Sequence, residues 1–436
     1  MTDSGARPYI MVKTNVSGSC AHARELWAKV PSLQRKVDER MASVQDRLSI
    51  RASKLESLVG DAVMVDVRDL GRNVLVLENF RTMLPLDWDV HFWHGPTNFR
   101  AVQNAPVLAL AIAAGNLRLR RLIFQGVPAT RETFTLSHYQ SLLTSVEFWQ
   151  SFSRKHLLLF ESDSVLCPSP SVPLSAFGNT SFVGAPWTQG KELRWAELER
   201  AHPPPQWCFN LANCVGNSGF SLWRRDVVYP LLSEYPRTDI ENAVLDYLEQ
   251  PGCIKHKSKC YKPRRGDHWG GTGTESNRHA LYGRNAGSLT GRIDVWMTRT
   301  LQAVHAGHLV HRSPGTAVRA HHLLAEGILH AVPAVDEASM FSVETSYSGS
   351  YTPIGVHKAW RHLSVKRFDQ LVERCAPVGA LYLQAIRDTN LSGSGREAAG
   401  LARSRSARDD PKNILTRCAP NASKKNPAIL TQLTTE

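Results

Sequence analysis

The sequence has no long hydrophobic run. In its 436 residues, no stretch reaches the roughly 18 consecutive apolar residues that a membrane-spanning helix requires, and the best candidate, residues 107–114, is far shorter. The first residues also lack the basic and then apolar pattern of a signal peptide. We therefore expect no transmembrane anchor. The compartment is unknown: cytoplasmic by default, and the Golgi lumen if the amino terminus is incomplete.

The chain also lacks a dense cysteine framework. Its eight cysteines are scattered along the sequence, unlike those of small disulfide-rich secreted domains. Cys208 with Cys214, or Cys253 with Cys260, can pair only in an oxidising lumen. Cys253, His256 and Cys260 match no standard zinc module, and no fourth ligand is evident. The redox state of the cysteines therefore stays open.

Nucleic-acid-binding motifs are missing as well, although the chain is basic. The net charge is +13, from 52 lysines and arginines against 39 aspartates and glutamates, and such a charge suits anionic partners. The excess lies in residues 255–292 and at the two ends of the chain. A solvated basic surface explains this pattern better than a nucleic-acid site, so we expect no nucleic-acid partner.

Composition divides the chain into three parts. Apolar residues recur at three- and four-residue steps from Leu26 to Leu48, which predicts an amphipathic helix. Pro31 is expected to shorten or kink it. This helix is more typical of a stem lying across a domain than of a coiled coil or a partner-docking helix. The predicted parts are a polar amino terminus with this helical stem over 1–58, a folded domain over 59–386 with a basic insertion at 251–291, and a basic tail over 387–436 with too few apolar residues to fold.

The folded domain opens with a strand, a helix and a second strand. Residues 62–68 and 90–94 are apolar runs typical of buried strands, and residues 73–83 between them have helical periodicity. This order at this spacing predicts a βαβ unit with parallel strands. We therefore predict an α/β fold with a mixed, mainly parallel sheet and helices on both of its faces.

A buried strand that ends in acidic residues is the most informative stretch. Residues 156–160 are almost entirely apolar, and Glu161 and Asp163 follow at once. If the strand continues, residues two apart face the same side, at the carboxyl edge of the sheet where open α/β folds bind ligands. Two carboxylates there suit Mg²⁺ or Mn²⁺. An isolated pair of this kind is more often the solvated end of a strand.

A glycine-containing segment, residues 215–225, has two interpretations. Gly216 and Gly219 flank Asn217 and Ser218, and such glycines let the backbone approach a bound ligand and offer it N–H groups. A plain turn between a strand and a helix produces the same pattern more often.

Eight segments in register resemble one known family. It comprises the glycosyltransferase-like domains of GT-A fold found in many fungi, algae and large viruses, still named as a domain of unknown function. The resemblance covers about residues 60–362, interrupted by the basic insertion. The segments that carry it are residues 86–96, 139–149, 160–167, 183–187, 216–222, 293–299, 341–344 and 355–360.

The resemblance implies transfer of a sugar from a nucleotide-sugar donor to a hydroxyl of a glycan, protein or small-molecule acceptor. It places a Mn²⁺ or Mg²⁺ on Asp163, with Glu161 as second ligand or water holder and His357 completing the set. Asp294 is the implied general base, which makes the reaction inverting. The implied donor-binding residues are Arg68, His94, Asn98, Trp187, Gly216 and Asn217.

One departure from the family pattern motivates an alternative. Ile293 stands where the family has a glutamate beside the base, so a non-catalytic protein that binds nucleotide sugars or glycans is the second hypothesis. A third is an interaction protein that works through its amino-terminal helix and basic tail. Fold analogy alone identifies no substrate.

Overall fold

The structure is a computed structural model of the chain. It describes residues 20–54, 58–124, 126–186, 215–235, 239–240, 243, 297, 300–301, 304, 310–313, 316–319, 333–344 and 347–391. These ranges leave out the basic insertion at 251–291, the tail beyond residue 391, Trp187 and Asp294. The four cysteines considered for pairing also lie outside them.

Ten α-helices and thirteen strands lie within the described residues. The helices are α1 Cys20–Ser53, α2 Arg72–Met83, α3 Phe99–Asn104, α4 Pro106–Ala113, α5 Leu136–Leu143, α6 Val146–Gln150, α7 Arg225–Glu234, α8 Val335–Phe341, α9 Val365–Arg374 and α10 Ala376–Leu391. The strands are β1 Gly60–Asp66, β2 Asp89–His94, β3 Leu117–Arg121, β4 Ile123–Phe124, β5 Val127–Pro128, β6 His156–Phe160, β7 Ser164–Leu166, β8 Phe182–Pro186, β9 Val215–Arg224, β10 Val310–Ser313, β11 Thr316–Arg319, β12 Ser342–Val343 and β13 Gly355–His357.

A six-stranded sheet forms the centre of the fold. Its order is β3-β2-β1-β6-β9-β8. β1 pairs in parallel with β2 and β6, and β2 pairs in parallel with β3, whereas β9 is antiparallel to both β6 and β8. The predicted mixed, mainly parallel sheet is therefore present, and one strand of the six runs against the others.

Both faces of this sheet are buried, which explains the continuous apolar runs in β1 and β6. Met64 and Phe160 pack on one face with residues of α1, α2 and α10. Val65 and Leu159 point the other way and pack with residues of α5, α6 and α7. Helices therefore cover both faces, as the sequence predicts.

The amino-terminal helix α1 lies against the domain. It runs through Pro31, which does not shorten it. Met41, Val44 and Leu48 are buried in the core, and Arg51 forms an ion pair with Glu337 of α8 at 3.0 Å. The stem interpretation agrees with this packing. At the other end of the chain, α10 continues to Leu391, so the boundary predicted at residue 387 falls inside a helix.

Of the two interpretations of residues 215–225, the plain turn is wrong. Residues 215–224 form β9, which lies between β6 and β8 in the sheet, and Arg225 starts α7. This strand packs closely against β8, because an added Cβ at Gly184 of β8 would overlap the backbone of Asn217.

A second, three-stranded sheet contacts strands of the first. Its order is β12-β13-β7, with β7 antiparallel to β13. Directly after β7, Cys167 forms a disulfide with Cys375, which lies between α9 and α10. Both cysteines are buried, and the bond ties the small sheet to the last helices. No described helix is both long and apolar enough to cross a membrane.

Candidate functional site

The candidate site lies at the carboxyl ends of β1 and β6. From β1 the chain moves outward through β2 and β3, and it later returns on the other side of β1 as β6. The connections therefore diverge between β1 and β6, which is the switch point where open α/β sheets form ligand-binding crevices. Arg68, after β1, donates a hydrogen bond from Nη2 to Oγ of Ser162, after β6, at 3.1 Å. This bond connects the segments that follow the two strands.

Glu161 and Asp163 lie in a turn and not in a continued strand. β6 ends at Phe160, and the N–H of Ser164 donates to the carbonyl of Glu161 at 3.0 Å. The two carboxylates lie at the predicted carboxyl edge of the sheet. A tight turn that leads into β7, and not a continued strand, brings them together.

His357 completes the group that we call the carboxyl-edge cluster, comprising Glu161, Asp163 and His357. Nε2 of His357 lies 3.1 Å from Oδ1 of Asp163 and 3.4 Å from Oε2 of Glu161. One ligand atom from each residue lies within 4.8 Å of the others, so the three can hold a metal ion. The structure brings together all three residues that the sequence analysis assigned to the metal.

The position of His357 depends on Gly219 of β9. A Cβ at residue 219 would overlap the imidazole ring of His357. The carbonyl of Gly219 accepts hydrogen bonds from the N–H of Glu161 at 2.8 Å and from Oγ of Ser164 at 2.6 Å. Gly219 therefore makes room for the histidine and holds both ends of the acidic turn.

Polar atoms of the carboxyl-edge cluster are buried without hydrogen-bond partners. Oδ1 of Asp163 and both ring nitrogens of His357 are in this state within the described part of the chain. Nε2 and Oδ1 are close but are not aligned for a hydrogen bond. A buried polar atom without a hydrogen-bond partner costs roughly 1–3 kcal/mol, so a ligand that bonded to these atoms would relieve an unfavourable arrangement.

The ionisable groups of the cluster shift one another's pKa values. Burial alone would raise the pKa values of Glu161 and Asp163, but close contact with His357 and the charge of Lys358 lower them, that of Asp163 well below its usual value. Burial would lower the pKa of His357, but Asp163 raises it well above its usual value. The two carboxylates and the imidazole therefore stabilise one another's charged forms.

Lys358 is a site residue that the sequence analysis missed. Its backbone is left-handed, with φ 35° and ψ 36°, a conformation that is uncommon for residues other than glycine. Its N–H donates to the carbonyl of Asp163 at 2.9 Å, and its ammonium lies 4.0 Å from Oε2 of Glu161. Burial opposes ionisation, but Asp163 and Glu161 raise the pKa of Lys358. Its only sequence signal was its place beside His357.

Arg68, an implied donor-binding residue, lies beside the carboxyl-edge cluster. Its side chain is 45 % exposed and forms a two-point ion pair with the buried Asp66, with an Nη2–Oδ2 distance of 2.7 Å. Burial opposes its charge, but Asp66, Asp163 and Glu161 raise its pKa. It is a fixed positive charge beside the carboxyl-edge cluster.

Two other implied donor-binding residues, Asn98 and His94, make polar contacts within the protein. Asn98 donates to the carbonyls of Asp66 and Arg68 and accepts from the N–H of Gly95, so its amide fixes the loop after β1. His94 is buried, and its Nδ1 lies 2.6 Å from the carbonyl of Gly95. Their contacts with a donor stay predictions.

The other implied residues divide between β9 and the undescribed part of the chain. Asn217 accepts from the N–H of Gly219 at 2.8 Å. Gly216 precedes it on β9, whose start lies at the same edge of the sheet. Trp187 and the implied base Asp294 lie outside the described residues. Near Asp294, however, Met297 and Leu301 are helical and buried.

A similar group lies at the opposite edge of the same sheet. This amino-edge cluster comprises Asp61, Asp89 and His91, which also meet the distance criterion for a metal site. Its groups have partners: Asp61 contacts Nε2 of His91 at 3.0 Å and accepts from the N–H of Arg154 at 3.1 Å, and Asp89 accepts from Arg118. We interpret it as structural.

Comparison with known proteins gives one match. Residues 125–278 match a family described as "Protein of unknown function (DUF5672)". The matched region is well under half of the chain; it contains the acidic turn and Gly219 but not His357. No curated protein matches the sequence. The family match agrees with the resemblance to a domain of unknown function, and it assigns no activity.

Proposed function

We propose that the protein is a metal-dependent glycosyltransferase that moves a sugar from a nucleotide-sugar donor to an acceptor hydroxyl. The observation that carries the proposal is the carboxyl-edge cluster: two carboxylates and an imidazole that converge at the switch point of the sheet, with buried ligand atoms that lack hydrogen-bond partners. We include the GT-A fold in this proposal, since a mixed sheet with helices on both faces is compatible with it.

The cluster fits a six-coordinate divalent ion. Two ligand atoms that are each about 2.1 Å from such an ion and at right angles lie about 3 Å apart. The distances from Nε2 of His357 to the two carboxylates, 3.1 and 3.4 Å, are close to this value. Asp163, Glu161 and His357 would hold Mn²⁺ or Mg²⁺, and an imidazole in the set favours Mn²⁺ over Mg²⁺, which takes oxygen ligands.

The surroundings suit a diphosphate. Arg68 and Lys358 place two cations beside the cluster. The amino terminus of α2, where phosphate binds in many α/β proteins, is closed: Asp388 of α10 accepts from the N–H groups of Gly71 and Arg72 at 3.1 and 3.3 Å. A phosphorylated ligand at this edge must therefore rely on side chains and a bound cation. This favours a metal-dependent transferase over a helix-terminus nucleotide binder.

The chemistry assigns work to each residue. A bound divalent ion would stabilise the negative charge of the departing nucleotide diphosphate. Arg68 and Lys358 would hold the phosphate oxygens as the bond from the anomeric carbon to the phosphate oxygen breaks. The acceptor oxygen forms the new bond to that carbon, and its proton passes to a base. Asp294 is the proposed base, and a single displacement of this kind inverts the anomeric configuration.

The test measures binding and turnover separately. Thermal shifts with a panel of uridine, guanosine and cytidine nucleotide sugars, with and without Mn²⁺, should show a donor that stabilises the protein only with the metal. Release of nucleotide diphosphate from that donor should fall about 100-fold or more in Asp163→Ala. Asp89→Asn, in the amino-edge cluster, is the matched control and should retain the wild-type rate.

Each other outcome has a defined meaning. No metal-dependent donor shift in the wild type, or equal turnover in Asp163→Ala, would overturn the proposal. Binding that requires Mn²⁺ but gives no product with any acceptor, and no donor hydrolysis, would favour the alternative of a non-catalytic nucleotide-sugar-binding protein. Ile293 is the residue that motivates that alternative.

A further inference from the structure

Glu344 lies directly behind His357. β12 and β13 are parallel, and Val343 pairs with Val356, so Glu344 and His357 follow at neighbouring positions as the two strands end. Glu344 is 4 % exposed and His357 is 1 % exposed. A carboxylate buried to this degree is costly unless other groups in the protein compensate it.

The carboxylate of Glu344 lies near the imidazole ring of His357 without forming a hydrogen bond to it. Its Oε1 lies 3.7 Å from Nδ1 of His357 and 3.7 Å from Nε2 of His362. Nδ1 of His357 and Oε2 of Glu344 are both buried without a hydrogen-bond partner. A shift of less than 1 Å would bring Nδ1 and the carboxylate within hydrogen-bonding distance, since such bonds span about 2.7–3.2 Å.

We propose that Glu344 is a positioning residue that accepts the Nδ1 proton of His357 and thereby holds Nε2 toward Asp163 and Glu161. This inference rests on the proposed function, because it concerns the metal that His357 would help to bind. Histidines that bind metals commonly donate their second N–H to a carboxylate, which fixes the ring and increases the basicity of the ligand nitrogen. Nε2 of His362 lies 3.7 Å from the same carboxylate oxygen.

The experiment measures Mn²⁺ affinity from the electron paramagnetic resonance signal of free Mn²⁺, without any donor. Glu344→Ala should weaken binding about 10- to 100-fold, and Glu344→Gln should weaken it by less than about threefold because the amide oxygen can accept the same proton. Glu337→Gln is the control: it removes a buried acid of the same segment that pairs with Arg51, and it should not change the affinity. If Glu344→Ala does not fold, Glu344→Met fills the space without an acceptor.

A second measurement observes the ring itself. In Zn²⁺-loaded protein labelled with ¹⁵N-histidine, the Nδ1 proton of His357 should give a downfield, slowly exchanging signal in the wild type and in Glu344→Gln, and this signal should be absent in Glu344→Ala. Equal Mn²⁺ affinity and an unchanged signal in Glu344→Ala would overturn the positioning role while leaving the metal site intact.

Failure of the proposed function gives a different pattern. If the wild type binds neither Mn²⁺ nor Zn²⁺, the metal assignment fails. Crystal structures of the metal-free wild type and Glu344→Ala then test the positioning role alone. The wild type should keep Nε2 of His357 facing Asp163, and the variant should show a rotated ring. An unrotated ring in the variant would overturn the role.

Discussion

Two clusters with the same composition, two acids and one histidine, lie at opposite edges of one sheet and differ in how their polar atoms are satisfied. In the amino-edge cluster, Asp61 contacts the histidine ring and accepts a backbone N–H, and Asp89 accepts from an arginine. In the carboxyl-edge cluster, Oδ1 of Asp163 and both ring nitrogens of His357 are buried and have no hydrogen-bond partner, although Oδ1 and Nε2 lie 3.1 Å apart. Proteins accept such unfavourable local arrangements mainly where function requires them.

The difference also extends to how each cluster is built. The amino-edge cluster lies on the adjacent strands β1 and β2, which pair in register from Asp61 with Asp89. The carboxyl-edge cluster joins a turn after β6 to the end of β13, almost two hundred residues later in the chain. The first needs only local pairing, whereas the second depends on the small sheet and its attachments.

The largest expected effect comes from the disulfide that anchors the small sheet. Cys167 and Cys375 are separated by 208 residues, and a cross-link over such a loop stabilises a fold by about 5 kcal/mol when chain entropy alone is counted. The double variant Cys167→Ala/Cys375→Ala should lose about that much free energy of unfolding, and Mn²⁺ affinity should fall with it because β7 starts just after Asp163. Urea denaturation and Mn²⁺ titration measure the two effects.

Reductant provides the control for this bond. Wild-type protein in dithiothreitol should approach the stability of the double variant, and the double variant should not change further. Equal stability of wild type and double variant in the absence of reductant would show that the bond does not anchor the site.

The next largest effect separates the two clusters directly. Asp61→Ala removes the carboxylate that contacts both the ring of His91 and the N–H of Arg154. Both groups then lose this partner. Because Asp61 is almost fully buried, the free energy of unfolding should fall by about 2–4 kcal/mol. Mn²⁺ affinity should remain that of the wild type. A large loss of Mn²⁺ affinity in this variant, with its fold intact, would show that the amino-edge cluster binds the metal.

Gly219→Ala tests the opposite edge with one methyl group. The added Cβ overlaps the ring of His357, so the ring must move away from Asp163. We expect Mn²⁺ affinity to fall about 100-fold, within the range for losing the geometry of one ligand. Gly379→Ala is the control: it adds a methyl group inside α10, 3.1 Å from a side-chain carbon of Val372, and should preserve Mn²⁺ binding.

The sequence predicted the parts of the fold that depend on local pattern. β1, β2 and β6 are rich in apolar residues because both faces of the sheet are covered, and each lies within two residues of its prediction. The carboxyl-edge position of Glu161 and Asp163 also followed from local pattern. Residues 136–150 form the two helices α5 and α6, since Ser145 starts the second by accepting from the N–H of Phe148.

Features that depend on distant residues could not be predicted from local pattern. β9 has few apolar residues at its start, and only its neighbours β6 and β8 make it a central strand. The pairing of Cys167 with Cys375 has no spacing signal over such a distance. His357 entered the site through family resemblance alone, and Lys358 and Glu344 gained meaning only when the small sheet placed them beside it.

The smallest expected effect concerns the strained backbone beside the carboxyl-edge cluster. Lys358→Gly removes the cost of a left-handed backbone, so the free energy of unfolding should rise by about 1 kcal/mol. The same change removes the ammonium near Glu161, and the affinity for Mn²⁺-pyrophosphate should fall about tenfold, the value of one charge-assisted contact. Lys358→Ala is the matched control, because it loses the ammonium but keeps the Cβ. It should lose the same pyrophosphate affinity without the gain in stability. If both variants bind pyrophosphate as the wild type does, Lys358 does not contact phosphate, and the strain at this position must serve only the placement of His357.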